Sequence, residues 1–190
     1  MTARYTRTAQ ALHWTLAVLL VGLVSLGLYM HELPLSPLKL QLYSYHKWAG
    51  VSVFLLVLIR LAWRATHRPP PLPAGTAPLV RIASSVAHAL LYGLMVAIPL
   101  SGWLMSSAKG VQTVWFGVLP IPDLIGKDAD LGERLAELHE ALNFTLIGLV
   151  AVHVAAALKH HFIDGDGLLH RMWPGRPARP ANKDSKESTT

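Results

Sequence analysis

The chain has 190 residues, of which 52% are apolar and only 15% charged; soluble domains carry about 25% charge, so a soluble globule is excluded. Its formal charge of +6 would suit nucleic acid or an anionic surface, but the basic residues flank long apolar stretches, where such charge sets membrane topology. No nucleic-acid partner is expected, and the absence of cysteine rules out disulfides, iron–sulfur clusters and covalently attached c-type haem.

Four apolar stretches follow one another along the chain, at about Ala9 to Met30, Tyr43 to Trp63, Ile82 to Ser106 and Leu138 to His161. Each has about 20 residues or more, enough to cross ~30 Å of hydrocarbon as a helix. The first is too long for a secretory signal, and His31-Glu32-Leu33-Pro34 after it offers no small-residue cleavage site. The expected fold is therefore all-α, an integral membrane four-helix bundle over residues 1–174.

Between the second and third spans, Arg68-Pro69-Pro70-Pro71-Leu72-Pro73 reads as a stiff non-helical linker. The connection from about Ala108 to Glu137 mixes Trp115 and Phe116 with prolines and charges; it is expected to form a short interfacial helix or a cap over the bundle. Residues 175–190 read as a polar, disordered tail. Counting Arg60 and Lys159 at the inner ends of the second and fourth spans, twelve of the seventeen Lys and Arg residues lie at the N-terminus, at the second-to-third connection and after the fourth span. The positive-inside rule then places both termini in the cytoplasm.

Ten histidines in so apolar a chain are unusual, because a polar side chain inside a membrane is costly and generally functional. His139 and His153 are fourteen residues apart, which on a helix puts them within ~40° of one face and ~21 Å apart along the axis. Depth selects their partners. His46, near the outer end of the second span, is level with His139, and His13, near the inner end of the first, is level with His153. His88 has a depth comparable to His13 and is an alternative inner ligand.

Zinc or copper would require ligands clustered within a few Å, whereas these histidines form two layers. Two imidazoles on facing helices suit the two axial positions of a haem iron held in an apolar slot. The residues therefore predict two b-type haems, on His46 with His139 and on His13 with His153, and electron transfer across the membrane. Gly22, Gly50, Gly93, Gly102 and Gly148 would let a flat macrocycle approach, or serve helix packing.

Taken together, several segments resemble the bacterial cytochrome b561 family of four-helix, di-haem, quinone-linked cytochromes, over about Arg4 to Pro174. They are Tyr5-Thr6-Arg7 with Leu12-His13-Trp14, His46-Lys47 through Gly50 to Arg60-Leu61 and Trp63-Arg64, and His88 with Leu91-Tyr92. Pro99-Leu100-Ser101-Gly102-Trp103, Leu138-His139-Glu140, His153 and His160-His161 complete the set. The resemblance implies an inner haem on His13 and His153 and an outer haem on His46 and His139. It also implies a multi-pass protein of the bacterial inner membrane, with ubiquinone as electron acceptor. Stand-alone members of the family include a superoxide oxidase, so superoxide is an implied donor.

His88 and His160 are then candidate quinone contacts, since a histidine near water can both bond a quinone and supply protons; the alternative is packing or contact with haem propionates. Arg60, Arg64 and Arg81 are propionate partners or topology determinants. Lys39 and Lys47 would attract an anionic donor, within an outer field that also holds acidic residues. His31, His67, His161 and His170 lie at the flanks and are expected to be solvated or interfacial. Two other functions compete: a membrane-anchoring subunit relaying electrons between a periplasmic dehydrogenase or hydrogenase and quinone, and a non-redox metal or proton transporter.

Overall fold

Capping residues set where the helices begin, well outside the apolar runs. In the computed structural model, which describes residues 4–72 and 75–175, α1 runs Arg7–Glu32, with the Thr6 hydroxyl accepting from the Ala9 N–H. Ser36 caps α2, Pro37–Thr66, through the Lys39 N–H, with proline in its first turn. Proline also opens α3, Pro78–Ala108, where its missing N–H costs nothing. Asp128 caps α4, Ala129–Phe162, by accepting from the Leu131 N–H.

All four are long and apolar enough to cross a membrane. At 26 to 34 residues they measure about 40 to 50 Å, so they project beyond the hydrocarbon. The largest departure from the expected spans is α4, which starts nine residues before Leu138. Its first two turns are charged but well capped, and apolarity alone does not reveal them.

The connection between α3 and α4 is not a helix. It forms a small antiparallel hairpin of β1, Val114–Trp115, and β2, Leu119–Pro120. At the other end of the bundle a short helix, α5, Leu168–Met172, is tied to the start of α1. Arg171 is 7% exposed and donates to the Pro71 carbonyl at 2.6 Å, while its own carbonyl accepts from the Tyr5 N–H and from Gln10. The Trp14 indole donates to the Met172 carbonyl, and Arg4 bonds the carbonyls of Trp173 and Gly175. N-terminus, α2–α3 linker and α5 thus share one end of the bundle. The expected polar tail, beyond Gly175, lies outside the described residues.

Packing is uneven. The closest pairs are α1 with α2 and α3 with α4; α2 meets α3 over a thinner interface, and α4 makes no comparably extensive contact with α1 or α2. The shared core is small, centred on Leu16, Val53 and Val57. Apolar side chains such as Val18, Val21 and Val152 point outward and are more than half exposed, as expected where the surrounding solvent is lipid.

Candidate functional site

The histidines face one another where the two helix pairs are held apart. His46 on α2 and His139 on α4 have ring centres 6.5 Å apart with planes at 79°. At the level nearer the termini, His13 on α1 and His153 on α4 are also 6.5 Å apart, with planes at 72°. Two imidazoles bound trans to one metal, at about 2.0 Å per bond, have ring centres roughly 6 Å apart. Both pairs meet that spacing. They lie at two levels on α4, as the fourteen-residue interval predicts.

The surroundings of the first pair suit a flat apolar group with imidazoles on either side. A cavity of about 450 Å³, its open mouth included, lies between His46 and His139 and is lined by Leu20, Val53, Met95 and Leu146 among others. The His139 Nδ1 lies 3.1 Å from the Ile98 carbonyl and 2.9 Å from the Ser101 hydroxyl. A proton on Nδ1, donated to that carbonyl, leaves Nε2 with the free lone pair that a metal ligand needs. Pro99 removes one donor from the α3 ladder at this turn, beside the carbonyl that bonds sideways. The His46 Nδ1 is buried without a partner.

Glycine makes room for these rings, but not as the sequence suggests. A Cβ at Gly102 would stand 3.1 Å from His139 Cε1, and one at Gly27 would stand 3.4 Å from His46 Cε1. Gly102 therefore accommodates an imidazole, and Gly27 shares that role. Gly22, Gly50, Gly93 and Gly148 face open space, so direct helix-to-helix packing does not explain them; Gly50 borders the cavity.

At the second level three histidines meet. His88 lies 5.4 Å from His153, closer than the trans spacing, and its Nδ1 is 2.6 Å from the Ser84 carbonyl, the arrangement that frees Nε2. His13 instead presents Nδ1 to the Arg60 guanidinium at 3.3 Å. Since arginine only donates, that contact needs an unprotonated Nδ1, the tautomer opposite to an Nε2 ligand. Binding a metal through His13 Nε2 requires Arg60 to let go. Arg60 also holds the Tyr92 hydroxyl and the Ala9 carbonyl, and Arg64 lies over the Tyr92 ring. Arg81 bonds the Thr76 carbonyl at the start of α3.

The remaining candidates are engaged locally. His160, beyond the inner pair on α4, points Nδ1 at Asp166, 2.7 Å away, and Asp164, 3.1 Å away. The three groups are close enough to hold a cation, but the Lys159 ammonium already bonds both Asp164 oxygens. That hydrogen bond, foremost, holds the Asp164 carboxyl below the usual carboxylate range. His67 stacks on Trp63, and His161 meets His170. Lys47 donates to the Val111 carbonyl and Lys39 to the carbonyls of His31 and Leu33, so both are tethered to backbone. Ser101 and Gly27, which position the outer imidazoles, carry little sign of that role in sequence: Ser101 falls inside Pro99-Leu100-Ser101-Gly102-Trp103, and Gly27 has no signal beyond being glycine.

Residues 4–175 match the family model described as prokaryotic cytochrome b561. The chain is 33% identical over 180 residues to cytochrome b561 homolog 2 of Escherichia coli (strain K12), covering 89% of this chain and 90% of that protein. It is 27% identical over 174 residues to cytochrome b561 homolog 1 of the same organism, covering 91% and 98%. Over 138 residues it is 26% identical to a protein of Yersinia pestis named probable superoxide oxidase CybB, covering 69% and 78%.

Proposed function

The chain belongs to the prokaryotic cytochrome b561 family, and we propose that His46 with His139 and His13 with His153 are the axial ligands of two b-type haems. It is a multi-pass protein of the bacterial inner membrane with an electron-transfer or oxidoreductase role, and the family carries haem of b type. The observation that carries the ligand assignment is the equal 6.5 Å separation within the two histidine pairs. Equal spacing also favours His13 over His88 as the partner of His153.

When bound, haem iron would supply one-electron redox chemistry, held by the paired histidines. The protein supplies position and surroundings. Ile98 and Ser101 fix the His139 ring, and Gly102 and Gly27 let α3 and α1 close against the imidazoles. Arg60, if released from His13, and Arg64 would balance carboxylate charge at the inner level.

The reaction we propose takes electrons from superoxide at the outer face and delivers them to ubiquinone at the inner face. Two superoxide anions each lose one electron to give two dioxygen molecules; one ubiquinone gains two electrons and two protons to give ubiquinol. His160 is the proposed proton donor to the quinone, its Nδ1 held by Asp166 and Asp164 so that Nε2 is free. His88 is the second quinone candidate. The relative named probable superoxide oxidase supports the choice of donor. Arg4 and Tyr5, α5 and the α2–α3 linker, with Arg60, Arg64, Arg68 and Arg81 in or beside that linker, are gathered at one end and support a cytoplasmic location for that end. The test is ubiquinone reduction by superoxide with the purified protein in vesicles. We expect a rate well above the uncatalysed background; a rate equal to background would overturn superoxide as donor.

A further inference from the structure

The α3–α4 connection divides sharply by charge. From Gly110 to Pro122 it holds no charged residue, whereas its remainder holds Asp123, Lys127 and Asp128, and the first turns of α4 add Asp130, Glu133, Arg134 and Glu137. The uncharged half forms the hairpin, and its tip is apolar and open: Val118 is 83% exposed, Phe116 59% and Leu119 53%.

Its place along the bundle follows from α2. Trp48 donates to the Val114 carbonyl, and Trp115 donates to the Trp48 carbonyl, with the Ser52 hydroxyl also in reach. Phe116 packs on Trp48 with ring centres 5.5 Å apart. Trp48 precedes Trp63, beside the Thr6 cap, by fifteen residues, or about 22 Å of helix. If Trp63 marks one edge of the ~30 Å hydrocarbon, the hairpin lies against α2 within about 8 Å of the opposite edge. Tyr45, Trp48 and Trp115 there form the aromatic group usual at such a boundary.

The backbone is prepared for that depth. Gly117 N–H bonds the Val114 carbonyl, Val118 N–H the Trp115 carbonyl and Ile121 N–H the Thr113 carbonyl, so the turn carries few open polar groups into an apolar setting. The turn also holds Phe116 at φ +50° and Gly117 at φ +71°. Positive φ is unfavourable for a bulky residue, and an asparagine would be usual there. A large apolar ring thus stands at the tip at a cost in backbone strain.

We propose that this hairpin is an interfacial anchor: Phe116, Val118 and Leu119 insert into the acyl–headgroup boundary of the leaflet opposite the termini. The occupant of the apolar tip is lipid, not a second protein. Because Trp48 on α2 holds the hairpin and Lys47 on α2 donates to the Val111 carbonyl just before it, lipid contact steadies the turn of α2 that carries His46.

The chain lacks cysteine, so single-cysteine variants can be labelled without background. Val118→Cys and Leu119→Cys in the hairpin, and Glu133→Cys in the charged first turns of α4, would carry a nitroxide in the full-length protein. Reconstituted in phosphatidylcholine–phosphatidylglycerol vesicles, each is read by power saturation with oxygen and with a water-soluble nickel chelate. The proposal expects oxygen to dominate at 118 and 119, with an oxygen-to-nickel accessibility ratio above one, and the chelate to dominate at 133. Chelate access at 118 and 119 equal to that at 133 would overturn it and leave the tip to a water-borne partner. Val118 points outward and valine-to-cysteine is small, so folding is not at stake; Leu119 provides the second reading.

Discussion

At the scale of single residues, an Nε2 ligand needs its proton on Nδ1, as His139 has it and as His13 would have it only once Arg60 lets go. The His139 Nδ1 contact with the Ile98 carbonyl fixes the tautomer, so His139→Ala should remove the outer haem and lower haem content from about two to about one per chain. His153→Ala should do the same for the inner haem. Pyridine haemochrome quantitation reads both, and content that stays at two after either change contradicts the assignment. Gly102→Leu should act like His139→Ala without touching a ligand, because even a Cβ there stands 3.1 Å from the imidazole and a branched side chain displaces the ring. Normal haem content in that variant would show that the ring has room to move. His160→Ala should retain both haems yet slow quinone reduction by ~10²-fold, the scale of general acid catalysis; unchanged kinetics would return His160 to a role in pairing with Asp164 and Asp166.

Elements explain why part of this was readable in advance. The fourteen-residue interval between His139 and His153 is a property of helix geometry, so their common face and two levels follow from sequence once the span is identified. The inner partner of His153 was not legible in the same way. His13 and His88 begin at similar depths on different helices, and only side-chain geometry separates a 6.5 Å contact from a 5.4 Å one. The start of α4 was missed because Asp128 caps a charged turn that hydropathy ignores, and the hairpin because two-residue strands leave no periodic signal. The α5 clamp was equally silent, since Arg171 reads as one more basic residue near a terminus. Its buried bond to the Pro71 carbonyl implies that Arg171→Ala destabilises the protein by about 1–3 kcal/mol, the scale of a lost buried hydrogen bond to a charged group. Thermal unfolding in detergent checks this, and an unaltered midpoint would contradict it.

For the whole molecule, the loose fit between the helix pairs is the feature that gives the fold its use. Four helices packed to the density of a soluble bundle would have no space between α4 and the α1–α2 pair, and the histidines would then be costly polar groups in an apolar core. Two histidine pairs at two levels, one of them bordering an open cavity, would instead serve as ligands on opposite walls in the proposed reading. Electron transfer is the family's work; crossing the membrane through two sites is the claim that depends on this geometry. Haem analysis of the purified, fully matured chain tests it most directly. The predicted result is a sharp alpha band of low-spin b-type haem on reduction, with two haems per polypeptide. A colourless protein, or one that binds a single haem when haem supply is not limiting, would contradict the account.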